Sequence, residues 1–102
     1  MAEVTGFHAH VYFDESTYDQ AVALCDRAGE LFTLSVGRKH QKAVGPHPSW
    51  SCQLAFEPPL FNQIISWLEE NRHGLTVFVH EDTGNDLRDH TENLTWLGKP
   101  SN

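Results

Sequence analysis

Residues 7–13 read Phe-His-Ala-His-Val-Tyr-Phe, and this strict alternation constrains the fold more than any other stretch of the chain. A β-strand turns successive side chains to opposite faces. Phe7, Ala9, Val11 and Phe13 therefore share one face, while His8, His10 and Tyr12 share the other. The apolar face demands a cover, and two amphipathic segments can provide it. Residues 16–28 predict a helix entered through Asp14-Glu15-Ser16, side chains that suit a helix start. It buries Ala21, Leu24, Cys25 and Ala28, and Gly29 is its expected stop. Pro58-Pro59 opens a second helix, because proline is tolerated in a first turn. Its apolar face is Leu60, Ile64, Trp67 and Leu68, and Gly74 lies just past its end.

Three more strands complete the pattern. Residues 31–38 alternate Phe32, Leu34 and Val36 against Thr33, Ser35 and Gly37. Residues 50–56 direct Trp50, Cys52, Leu54 and Phe56 one way. Residues 75–80 form the last strand, with Leu75, Val77 and Val79 toward the helices and Thr76, Phe78 and His80 away from them. A polar loop over 39–49 holds Gly45-Pro46-His47-Pro48, and 81–102 reads as a tail with a turn at Thr83-Gly84-Asn85-Asp86. The order β-α-β-β-α-β is the ferredoxin-like α+β arrangement, a four-stranded antiparallel sheet with two helices on one face. Right-handed crossovers put the first and third strands in the middle. A chain of 102 residues holds one modest core, so residues 1–102 are read as a single domain.

Charge narrows the function classes. Fourteen acidic residues against seven basic ones leave a net charge of -7, which argues against a nucleic-acid partner, because phosphate binding needs clustered Lys and Arg. The only local basic run, Arg38-Lys39-His40-Gln41-Lys42, is too short to reverse this. No apolar stretch approaches the ~20 residues that span a bilayer. The N-terminus has neither the basic flank nor the apolar run of a signal peptide, so the expectation is a cytoplasmic protein with no membrane partner. Cys25 and Cys52, isolated within apolar patterns, are read as buried, reduced thiols.

Histidine is the anomaly. Seven are present, at 8, 10, 40, 47, 73, 80 and 90, mostly beside strand ends and loops. His8 and His10, at i and i+2 of one strand, stand roughly 6.5–7 Å apart at Cα and face the same way. The first and fourth strands should be neighbours, so His8 or His10 can meet His80 on the open face. His47 sits on the loop leading into the third strand. Neutral imidazole suits iron, zinc and copper. A lone His-x-His equally marks two half-exposed strand residues, and it is the company of His47 and His80 that points to a metal site. His73 is read as complementing a helix dipole and His40 as a solvated loop residue. Arg38 is either solvated or a grip for a substrate carboxylate.

Taken in order, Phe7-His8-Ala9-His10-Val11-Tyr12-Phe13, Gly45-Pro46-His47-Pro48 before Trp50, Val79-His80-Glu81-Asp82-Thr83-Gly84, Asp89-His90 and Trp96-Leu97-Gly98 form a pattern that resembles the DOPA 4,5-dioxygenase family over nearly the whole chain. The resemblance implies a small, often dimeric ferredoxin-like protein that opens a catechol ring with non-haem Fe(II) and O2, fungal members acting on L-DOPA. Family sequences often carry His-Pro after the fourth strand, where this chain has His80-Glu81. With the resemblance in place, the expected ligands are His10, His47 and His80, another divalent metal such as zinc being able to take the site on purification. His8 is a reserve ligand or an acid/base residue. His90 is expected to reach the site from the tail, across a dimer interface if the chain dimerises, and Arg38 to bind a substrate carboxylate.

The expected partners are a small-molecule catechol and a second copy of the chain, since Tyr12 and Phe78 would otherwise lie exposed among the histidines. The rival reading from another class is a non-catalytic dimeric metal- or ligand-binding module on the same fold, which fold alone does not exclude. A cofactor-free monooxygenase is a third, and it gives no reason for converging histidines.

Overall fold

The computed structural model describes residues 4–40, 50–85, 89 and 94–98, with the side chains of 38–40 outside that description. The elements are β1 (Gly6–Phe13), α1 (Tyr18–Leu31), β2 (Ser35–His40), β3 (Trp50–Phe56), α2 (Phe61–Asn71), β4 (Val77–Asp82) and β5 (Thr95–Leu97). The sheet is antiparallel with the order β2-β3-β1-β4-β5. β1 thus pairs with both β3 and β4, as the sequence pattern requires.

The alternation of β1 sorts the sheet faces as expected. Ala9, Val11 and Phe13 join Cys52, Leu54, Phe56, Val77 and Val79 in one core with Ala21, Leu24, Cys25 and Ala28 of α1 and Ile64 and Leu68 of α2. Leu54, Ile64 and Leu68 are wholly buried, each contributing roughly 1.5–3 kcal/mol from apolar burial. Cys25 and Cys52 are free thiols within this core.

Asp14 shapes the entry to α1. Its Oδ1 accepts from the Thr17 amide at 3.0 Å and from Ser16 Oγ at 2.6 Å, while its own amide donates to Thr17 Oγ1 at 2.9 Å. The Ser16 and Thr17 hydrogen bonds hold the Asp14 carboxyl below the usual carboxylate range. Leu60 closes a short 3-10 turn begun by Pro58 and leads into α2.

Four expectations are corrected. Among the described residues the sheet has five strands, because Thr95–Leu97, read as tail, pairs with β4 and sends Leu97 into the core. A three-residue strand is too short to leave a periodic signature in sequence. α1 does not stop at Gly29 but runs to Leu31. A Cβ at Gly29 would stand 2.8 Å from Val36 Cγ2, so this glycine serves close helix-to-strand packing. Phe32 and Leu34, expected in the second strand, instead pack on the core from the link before it, Phe32 meeting Trp67 edge to face. The fourth strand starts later than expected and continues through Asp82. Past α2, His73 adopts a left-handed backbone (φ 45°), and its carbonyl accepts from Gln20 Nε2 at 3.0 Å.

Candidate metal centre

On the face away from the helices, the register makes an ordered map. His8 lies between Ala55 of β3 and His80 of β4, and His10 between Gln53 and Phe78. Ser35 continues the first row beyond Ala55, and Trp96 the second beyond Phe78. Diagonal neighbours across an antiparallel pair lie within reach of long side chains. His10 and His80 are such a pair, and their Nε2 atoms approach to 2.9 Å.

His80 has a fixed tautomer. Its Nδ1 lies 2.8 Å from the carbonyl oxygen of Glu81. A carbonyl only accepts, so Nδ1 carries the proton and donates it, leaving the lone pair on Nε2. This is the outer-sphere anchoring usual for metal-bound histidine. Both rings are withdrawn from solvent, His10 at 5% exposure and His80 at 2%. Each offers one nitrogen, with His8, to a set whose ligand atoms lie within 4.8 Å of one another. Two nitrogens at right angles on a metal with ~2.1 Å bonds lie about 3 Å apart. The His10–His80 spacing is therefore that of two adjacent ligand positions, and the donor set fits one divalent metal ion.

His8 is placed differently. It is a quarter exposed, and its Nε2 lies 3.5 Å from Asp82 Oδ2. Both residues line an open groove of about 400 Å³, together with Ala55, Ser35, Thr33 and Glu57. The small side chains of Ala55 and Ser35, in register beside His8, are what open that space. On the other flank the wall is aromatic. Phe78 stacks roughly parallel to His10 at 6.1 Å and meets Trp96 at 4.6 Å.

That wall corrects the reason for expecting a partner. Tyr12 and Phe78 are not exposed; they keep 6% and 5% of their surface. Trp96 of β5 lies 6.3 Å from Tyr12 and against Phe78, so the chain's own fifth strand covers the apolar part of this face. Burial pushes the Tyr12 phenol up to about 12.

Of the residues named from sequence, His8, His10 and His80 come together. His47 and His90 lie outside the described residues, as does the side chain of Arg38, whose backbone is in β2. Asp82 was missed. It stands two residues after His80 and so shares its face, a placement hidden by ending the strand at residue 80. Asp89, next to His90, is buried, and its carboxylate accepts from the Thr83 amide at 2.9 Å and from Thr83 Oγ1 at 2.6 Å. That tie holds Asp89 at the end of β4.

Comparison with known proteins now bears on this site. The model of the Dopa 4,5-dioxygenase family matches residues 7–102. The chain belongs to this family. A DOPA 4,5-dioxygenase from Amanita muscaria is 28% identical over 95% of the chain, and an uncharacterised 21.2 kDa protein from Botryotinia fuckeliana is 30% identical over 91%. The chain spans about half the length of these relatives, 46% and 57% respectively. A crystal structure from Nostoc punctiforme, provisionally described as that of a dioxygenase, superposes with a TM-score of 0.92. It is 41% identical and covers 96% of this chain and 85% of its own. The Dopa 4,5-dioxygenase family thus joins a dioxygenase assignment to a chain whose described residues hold a three-histidine cluster able to bind a metal. No helix among the described residues is long and apolar enough to cross a membrane.

Proposed function

We propose that the chain is a non-haem Fe(II)-dependent extradiol dioxygenase that opens the ring of a catechol, L-DOPA or a related carboxylated catechol, with O2 as co-substrate. The observation that carries this reading is the His8–His10–His80 cluster beside an open groove, in a member of this family. The order of the first four strands supports a ferredoxin-like unit that β5 extends.

His10 and His80 hold the metal, and His47, from the loop before β3, is the third ligand. Bound Fe(II) supplies Lewis-acid activation of the catechol and open positions for substrate and O2. The chain's own residues do the rest. The groove is of a size that accepts a single aromatic ring with a short side chain. His8, at the groove and outside the buried pair, takes the catechol proton and returns it during ring opening. Phe78 and Trp96 keep water from the His10 side. Arg38, three residues along β2 from the groove residue Ser35, grips the substrate carboxylate. The homodimer stays in the reading on the family resemblance, no longer on an exposed Tyr12 and Phe78. The location proposed is cytoplasmic. Oxygen uptake by Fe(II)-loaded protein with a panel of catechols tests the proposal. The same panel separates it from a metal-binding module, which would bind the ion without turnover.

A further inference from the structure

We propose that Asp82 is a positioning residue that fixes the tautomer of His8, its carboxylate accepting a hydrogen bond from Nε2–H and leaving the lone pair on Nδ1. This rests on reading His8 as the proton-handling residue of the site. The contact is specific to the way the strands meet. Asp82 lies opposite Gly6 in the β1–β4 register, so no side chain stands between the carboxylate and its diagonal neighbour His8. The Asp82 backbone is clamped, because its carbonyl accepts from both the amide and the hydroxyl of Thr5 at 2.9 and 3.0 Å. His8 is the one basic side chain within 4.0 Å of the Asp82 carboxylate among the described residues.

The Nε2–Oδ2 distance of 3.5 Å exceeds the roughly 2.7–2.9 Å of a charge-assisted hydrogen bond. The carboxylate is 41% exposed, so a small side-chain rotation closes the gap, as catalytic contacts commonly do when substrate arrives. An imidazole with no partner exchanges between two neutral tautomers. A carboxylate on one nitrogen selects the form with the proton on that nitrogen. His80 is fixed in the opposite sense, with its proton on Nδ1 toward the Glu81 carbonyl. The two histidines that stand opposite each other in the register therefore present different atoms to the site, Nε2 from His80 and Nδ1 from His8.

Long-range proton–nitrogen correlation spectra of the full chain test this, with zinc added as a diamagnetic occupant. They are recorded at about pH 8.5, above the ordinary histidine value of about 6.5, and H8Q identifies the His8 signals. Wild-type His8 should show its proton on Nε2 and an unprotonated Nδ1. D82N keeps a carbonyl acceptor and should retain that form. D82A should convert His8 to a mixture of tautomers while the far-UV dichroism stays that of wild type. A wild-type His8 protonated on Nδ1, or a His8 tautomer unchanged in D82A, would overturn the proposal. The spectra do not read turnover, so inactivity toward catechols leaves this result standing and strikes only the dioxygenase reading.

Discussion

His10 and His80, seventy positions apart in sequence, meet Nε2 to Nε2 at 2.9 Å across the β1–β4 pair. With the His80 proton committed to the Glu81 carbonyl, only a proton on His10 or a metal ion can reconcile two facing imidazole nitrogens at that distance. The pair is thus either hydrogen-bonded through a proton on His10 Nε2 or bridged by a metal, and with His8 it forms a cluster whose ligand atoms could hold one ion.

His10→Ala and His80→Ala should each lower affinity for a divalent metal by more than the roughly 100-fold that loss of an outer-sphere partner costs. Far-UV dichroism should stay native-like. His8→Ala should leave metal content near wild type and lower kcat by about 10²–10⁴-fold, the usual contribution of an acid/base group. Metal analysis after gel filtration, with turnover expressed per bound iron, separates the two outcomes. Equal metal loss in His8→Ala would make His8 a ligand.

Arg38→Ala should raise KM for carboxylated catechols and change it little for plain catechol. Only the carboxylated substrates lose a charge-assisted hydrogen bond, worth about 1.5–3 kcal/mol. Steady-state kinetics with L-DOPA and catechol side by side read the difference.

Tyr12 carries a pH dependence with a definite sign. Its phenol is raised from 10.0 to about 12 by burial, so the folded state prefers the neutral form. The corresponding stability is fully present below pH 10 and is lost as pH rises toward 12. Denaturant midpoints across that range should fall in wild type and fall less in Tyr12→Phe. Absorbance at the phenolate band should show one of the two tyrosines ionising near 12.

Gly98→Ala should destabilise the fold by more than about 1 kcal/mol, as expected where the native backbone does not suit Ala. Gly98 has φ 82°, and a Cβ there would stand 2.7 Å from Arg72 Nη1 and 3.2 Å from the Leu75 carbonyl oxygen. Thermal unfolding measures the loss. Because β5 holds Trp96 over Phe78 and Tyr12, the variant should also quench tryptophan fluorescence differently from wild type.

The sheet faces were legible because residues 7–13 alternate completely, which put His8 and His10 on one side, and the alternation of 75–80 in a neighbouring strand put His80 there too. Strand ends were less legible. Thr95–Leu97 is held by its pairing with Val77–Val79, a contact between distant segments that no local pattern carries. The same limit hid Asp82, which belongs to the site only because β4 continues two residues past His80. Gly29 misled because a glycine late in a helix reads as a stop, whereas here it meets Val36 of a neighbouring strand. His47, His90 and the Arg38 side chain lie outside the described residues, so their expected roles stand as proposals.

The most direct measurement is oxygen uptake by the anaerobically Fe(II)-loaded protein on addition of L-DOPA and related catechols. One O2 should be consumed per catechol, with a yellow ring-opened semialdehyde accumulating in step. Uptake no faster than that of free Fe(II) across the whole panel, from protein that retains its iron, would contradict the dioxygenase reading and leave a metal-binding module in its place.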